Sequence, residues 1–307
     1  MHVKIPRVPL VATLAAVVAA AALLAVPIPL RAPASAGFIR IPEAARGPAA
    51  PTAPTTPNAP TPPASAAPEG TPAATAPGAT PPGTRPPVVD HGPRTGNKVA
   101  LTFDADMTDA MRNQLRSGAV RSYANLKIID LLERERVPAT FFLTGKWVEQ
   151  YPDVTRRLAG NPRFELANHT YGHLAFTPDC YGLPRIAERE MTADVARTFD
   201  VVAAYGGRQT RYFRFPGLCH DRKALAALAP LGVTVVDGDV VSGDPFAKSW
   251  RPVVRASLDG VRPGSVIILH VTEANAPMTD EALPHILAGL AERGLEPAPL
   301  SEVLGLG

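Results

Sequence analysis

The chain has 307 residues, 46% of them hydrophobic, with 35 prolines and a formal net charge of +3. That charge is unevenly placed: residues 1–96 hold seven basic and three acidic side chains, whereas residues 97–307 hold 24 basic and 25 acidic ones. A near-neutral folded portion excludes the concentrated basic surface that a nucleic-acid-binding domain requires, so no nucleic-acid partner is expected.

Lys4 and Arg7 precede an apolar run from Val8 to Val26, and Ala34-Ser35-Ala36 follows as a small-x-small site. This pattern is an export signal. At 19 residues the run is also long enough to span a bilayer of about 30 Å. Residues 1–36 therefore read as a signal peptide or as an N-terminal membrane anchor through residues 8–26. Either places the rest outside the cytoplasm, secreted or on the outer face of the cytoplasmic membrane. Residues 48–87 contain 14 prolines among Ala, Thr, Gly and Ser. Such composition lacks the apolar bulk to offset ordering entropy, so residues 37–96 read as a disordered linker. Residues 97–307 suffice for one α/β domain. Cys180 and Cys219 are the two cysteines, and in an exported protein they are expected to pair.

The first strand of the domain is expected over 98–103, running into Asp104-Ala105-Asp106. Leu126, Ile129 and Leu132 mark a helix over 124–136, stopped by Pro138. The segment from Met107 to Tyr123 is longer than a simple loop and has no readable role. A strand at 139–143, a helix at 147–159 and a strand at 164–167 follow, the last running into His169. Then come a helix at 184–205, a strand at 212–215, a helix at 222–231, a strand at 233–236 and a helix at 251–258. The apolar strand 265–269 ends at His270, and a helix spans 281–293. Alternating strands and helices predict an α/β fold with a parallel sheet. Six or seven units fit, which gives a distorted (β/α) barrel with its active site at the C-terminal ends of the strands.

The residues able to do chemistry fall at those ends. Asp104 and Asp106 can supply a general base, a metal ligand or both, or can cap a turn. His169 and His173, four residues apart, can close on one divalent ion, zinc by preference, or can be polar surface. A carboxylate from the first strand is the expected third ligand. Arg214, between Phe213 and Phe215, can orient a carboxylate. Gly217 offers an uncrowded N–H to a developing oxyanion. One of Asp237, Asp239 and Asp244 can orient a histidine and raise its pKa. His270 ends the most apolar strand.

Together these pieces resemble the polysaccharide deacetylases of carbohydrate esterase family 4, the NodB homology domain. The family's T-F-D-D-G is similar to Thr102-Phe103-Asp104-Ala105-Asp106, and H-[ST]-x-x-H is matched by His169 to His173. Arg214-Phe215-Pro216-Gly217 resembles R-x-P-[YF] without the aromatic. Asp239 to Phe246 loosely echoes D-x-x-D-W, and Ile268-Leu269-His270 is similar to L-x-H.

The protein is expected to be a monomer. The resemblance implies metal-dependent removal of acetyl groups from a sugar polymer of the cell envelope such as peptidoglycan. It implies Asp104 as general base and Arg214 as its positioning residue. It also implies His270 as general acid oriented by Asp239 or Asp244, and Gly217 as oxyanion donor. His169 and His173 become metal ligands. Ala105 stands where the family has its ligand aspartate, and Asp106 is expected to take that place through a shifted turn. A catalytically impaired polysaccharide-binding protein, or an amidohydrolase of small amides on the same fold, are the other functions compatible with these residues.

Overall fold

The computed structural model describes residues 76–305. The export segment and residues 37–75 of the expected linker lie outside the described residues. In chain order the strands are β1 (Val88–Val89), β2 (Lys98–Ala105), β3 (Ala139–Leu143), β4 (Phe164–Asn168), β5 (Arg208–Phe213), β6 (Thr234–Val236), β7 (Val240–Val241), β8 (Val266–His270) and β9 (Glu296–Pro297). They hydrogen bond in the order β1-β6-β5-β4-β3-β2-β8-β7, with β9 added to β2. Every pairing is parallel. The sheet curls into a distorted barrel of eight successive strands rather than six or seven. The two-residue strands β1 and β7 make the difference, because they are too short to carry a sequence period.

The helices are α1 (Asp109–Arg116), α2 (Leu126–Arg134), α3 (Gly145–Gln150), α4 (Pro152–Gly160), α5 (Met191–Ala203), α6 (Arg222–Leu228), α7 (Trp250–Leu258), α8 (Thr279–Glu292) and α9 (Leu300–Leu304). None of the helices among the described residues is long and apolar enough to cross a membrane. The single helix expected over 147–159 is two. Pro152 takes the first position of α4, and Tyr151 between them is non-helical. The helix expected from residue 184 begins at Met191, because Ala175 bridges Arg185 and a 3₁₀ turn follows. The strand expected over 212–215 ends at Phe213. Helix α1, capped by Thr108, occupies the segment that had no readable role.

Strand β2 sets the position of the site. Its side chains alternate between two apolar layers. Val99, Leu101, Phe103 and Ala105 pack with Ile128, Ile129 and Leu132 of α2. Ala100 packs instead with Phe142, Tyr212, Val236 and Val266 inside the barrel. Thr102 and Asp104 share the phase of Ala100, and Asp106 continues it past the strand end. Ala105 is turned the other way, into the helix layer.

Residues 76–96 correct the expected linker boundary. Arg211 N–H donates to Pro77 O at 2.7 Å, and Thr80 N–H to Gly232 O at 3.1 Å. Val235 N–H donates to Pro87 O at 2.9 Å, and Asp237 N–H to Val89 O at 3.0 Å. The proline-rich composition does give an extended chain. Its carbonyls accept from Arg211 of β5, from Val235 of β6 and from Asp237 just beyond it, and the N–H groups of Thr80 and Gly83 donate to Gly232 O and Ala229 O.

Candidate active site

Asp104 and Asp106 leave β2 on the barrel's inner face, both nearly buried. Thr272 ties them together: its hydroxyl donates to Asp104 O at 3.3 Å and accepts Asp106 N–H at 3.1 Å. His169 follows β4 directly. Its Nδ1 lies 2.9 Å from Arg214 O, which fixes that nitrogen as the N–H donor and leaves the Nε2 lone pair facing the cleft. The turn to His173 is held by Asn168 Oδ1, which accepts Thr170 N–H at 2.9 Å, and by Asp194 Oδ1, which accepts Tyr171 N–H at 2.7 Å. Thr170 and His173 both adopt left-handed backbone, with φ of 70° and 53°.

These turns bring three donor atoms together. Asp106 Oδ1 is 3.3 Å from His173 Nε2 and 3.5 Å from His169 Nε2. One ligand atom from each of the three residues falls within 4.8 Å of the others. Burial pushes the His173 imidazole down to about 4, so it is neutral with a lone pair to offer. Burial opposes the Asp106 charge as well, yet the imidazoles of His173, His270 and His169 hold its carboxyl well below the usual range. Asp106 Oδ1 is buried and accepts no hydrogen bond from the protein. A buried ionised oxygen facing two imidazole lone pairs is the donor set of a divalent-metal site, so these residues fit the group. Ala105 cannot contribute.

Arg214 is fully buried and reaches Asp104. Its Nη1 donates to Asp104 Oδ1 at 2.6 Å and to Thr102 Oγ1 at 3.0 Å. Its Nε donates to Val236 O at 3.0 Å, and its guanidinium lies 4.0 Å from the Phe142 ring centre. The other Asp104 oxygen faces His169 Nε2 at 3.8 Å.

The fully buried Asp244 orients His270, accepting its Nδ1–H at 2.8 Å and its backbone N–H at 2.8 Å. Ser242 and Thr279 hydroxyls donate to the same carboxylate at 2.9 and 2.6 Å. Desolvation of His270 works against its charge, but Asp244 and then Asp106 outweigh it, and the ring is pushed up to about 10.

Asp239, the other expected orienter, is not in this group. Its oxygens accept from Arg94 at 2.6 Å, from Ser265 Oγ at 3.0 Å and from Val266 N–H at 2.8 Å. Those partners stand at the start of β8, at the opposite end of the strand from His270. Asp237 pairs with His220 at 2.8 Å. Gly217 lines the cleft with φ of 60°, a conformation glycine adopts freely, and its N–H makes no backbone hydrogen bond among the described residues. Cys180 and Cys219 are disulfide-bonded, with Cα atoms 5.9 Å apart.

The cleft encloses about 250 Å³. Asp104, Asp106, His169, His173 and His270 line its floor, and Tyr181, Leu218, Val241 and Phe246 its rim. Thr272, Thr279, Asp194 and Tyr181 are contributors that sequence reasoning missed. Each acts through a partner more than 20 positions away, so no local spacing reports it.

The chain is similar in sequence and fold to known proteins. Residues 91–236 match the polysaccharide deacetylase family. The chain is 29% identical over 188 residues to a chitooligosaccharide deacetylase of Bradyrhizobium sp. (strain ANU 289), covering 57% of this chain and 82% of that protein. It is 28% identical over 204 residues to a peptidoglycan-N-acetylglucosamine deacetylase of Bacillus cereus, covering 66% of each. Its fold overlays a family 4 carbohydrate esterase from Streptomyces lividans, solved in complex with acetate, with a TM-score of 0.52 and 26% identity. That overlay covers 66% of this chain and 92% of the other.

Proposed function

The chain belongs to the polysaccharide deacetylase family, carbohydrate esterase family 4, and on that premise we propose that it is an exported enzyme that removes acetyl groups from N-acetylated sugars of a cell-envelope polysaccharide such as peptidoglycan. The observation that carries the proposal is the convergence of an Arg-held carboxylate, an Asp-His-His set and an Asp-held imidazolium on one cleft floor.

Asp106, His169 and His173 would hold a divalent ion, zinc by donor type. Such an ion supplies Lewis acidity toward the acetyl carbonyl and toward water. Asp104 takes the proton from the attacking water. The buried Arg214 fixes that carboxylate in orientation, leaving one oxygen free to act. The Gly217 N–H donates to the oxygen that becomes negative as the carbonyl carbon turns tetrahedral. His270, kept protonated by Asp244, gives its Nε2 proton to the departing amine. The free amine and acetate result.

The disulfide and the peptidoglycan deacetylase relative support an extracytoplasmic location. The proposal is tested by incubating the protein with N-acetylglucosamine oligomers and acetylated wall fragments and measuring acetate. Release that stops on chelation and returns with zinc supports it. No release from any acetylated glycan rejects it.

A further inference from the structure

The cleft is charged at its floor and apolar at its rim. Five large hydrophobic side chains are exposed among the described residues, and three of them, Tyr181, Val241 and Phe246, stand at this one cleft. Tyr181 and Phe246 are 74% and 72% exposed, come from different loops, and hold their ring centres 6.0 Å apart at 32°. Large apolar groups gathered on a surface mark a binding site rather than a random distribution.

The backbone beneath Tyr181 is built to present it. Tyr181 and Leu218 both adopt left-handed conformations, with φ of 51° and 59°, and each is adjacent to one cysteine of the disulfide. Left-handed backbone at non-glycine residues is costly and persists where the surroundings enforce it. Gly217 lies under the ring: a Cβ there would come within 2.7 Å of Cys180 Sγ and 2.8 Å of Tyr181 Cδ2. The disulfide thus fastens the loop that follows the His169–His173 turn to the turn that follows β5. It leaves the phenol ring standing in solvent above the cleft.

We propose that Tyr181 and Phe246 form a stacking subsite for an uncharged pyranose unit of the glycan, with the Cys180–Cys219 bond positioning Tyr181. This rests on the deacetylase reading. A pyranose with equatorial hydroxyls carries its polar groups at the ring edge and C–H bonds on its faces, so an aromatic face covers it without stranding a hydroxyl. The unit gripped is neutral. The cleft lining contains no Lys, Arg or Glu, and its Asp residues belong to the floor. One unit of the N-acetylated glycan places its acetyl group at the floor while another rests on the aromatic pair.

The test is calorimetric titration of the full chain with a β-1,4-linked N-acetylglucosamine tetramer, alongside acetate-release kinetics on the tetramer and on the monosaccharide. Tyr181→Ala is expected to weaken tetramer binding roughly tenfold and to raise KM for the tetramer with kcat unchanged. It should leave the thermal unfolding midpoint as in the wild type, and Tyr181→Phe should restore binding. Tetramer binding unaffected by Tyr181→Ala, or a Tyr181→Phe variant as weak as Tyr181→Ala, overturns the subsite. Wild-type protein that binds tetramer through Tyr181 but releases no acetate rejects the deacetylase reading and keeps the subsite. Acetate release indifferent to Tyr181→Ala does the reverse.

Discussion

Asp244 holds His270 at two points, one oxygen accepting the ring Nδ1–H and the other the backbone N–H, each at 2.8 Å. The double grip fixes both the tautomer and the direction of Nε2, and the carboxylate charge raises the pKa of the ring. Asp244→Asn removes the charge and keeps the shape. The His270 pKa should then fall, moving the alkaline limb of kcat to lower pH, and kcat should drop by about 10²–10⁴-fold. Asp239→Asn, which breaks the pair with Arg94 instead, should leave the pH profile in place. A pH–rate series on both variants checks this. An Asp239→Asn profile that shifts while that of Asp244→Asn does not would assign the orienter wrongly.

Arg214 and Asp104 form a buried ion pair 2.6 Å apart. Replacing one partner of such a pair strands the other charge. Arg214→Met should lower unfolding free energy by about 3–5 kcal/mol in urea titrations and abolish turnover. A variant with full stability would mean that Asp104 is adequately solvated without its partner.

His220 and Asp237 make a second, partly buried pair, 2.8 Å apart, outside the metal-ligand set. The hydrogen bond to Asp237 raises the His220 pKa above its ordinary value of 6.5. A raised folded-state pKa adds stability that is complete below the unfolded value and is lost as pH rises through the folded one. The difference in unfolding midpoint between wild type and His220→Gln should therefore be large at pH 5 and shrink as pH climbs above 6.5. A difference that grows with pH would contradict the pairing.

Residues 76–96 complete the sheet edge at β6, so deletion to residue 96 should cost the cooperative unfolding transition, whereas deletion to residue 67 should not. Calorimetry of the two truncations distinguishes a strap that belongs to the fold from a linker that merely contacts it.

Much of this was legible because β2, β3 and β8 are near-continuous apolar runs, the signature of parallel strands covered on both faces. Their ends and that of β4 delivered Asp104, His169 and His270 to one place. The choice between Asp239 and Asp244 was not legible. The two lie five positions apart in similar sequence. Only the left-handed turn at Gly243, with φ of 69°, together with the pairing of β7 to β8, sends Asp244 toward His270 and leaves Asp239 at the far end. The strap escaped for a different reason. Proline-rich composition reports the absence of a core-forming face, but a chain without one can still be pinned through its carbonyls and its few N–H groups. Ala105 looked like a lost ligand because motif alignment counts positions, whereas strand alternation decides which side chain faces the barrel.

Metal stoichiometry tests most directly whether Asp106 is the ligand and Asp104 the base. The content of purified wild type, Asp106→Asn and Asp104→Asn is measured by elemental mass spectrometry after equilibration with zinc. The expected result is about one ion per chain in the wild type and in Asp104→Asn, with Asp104→Asn inactive, and little or none in Asp106→Asn. Full occupancy in Asp106→Asn, or loss of metal in Asp104→Asn, would contradict the assignment of Asp106 as the ligand and Asp104 as the base.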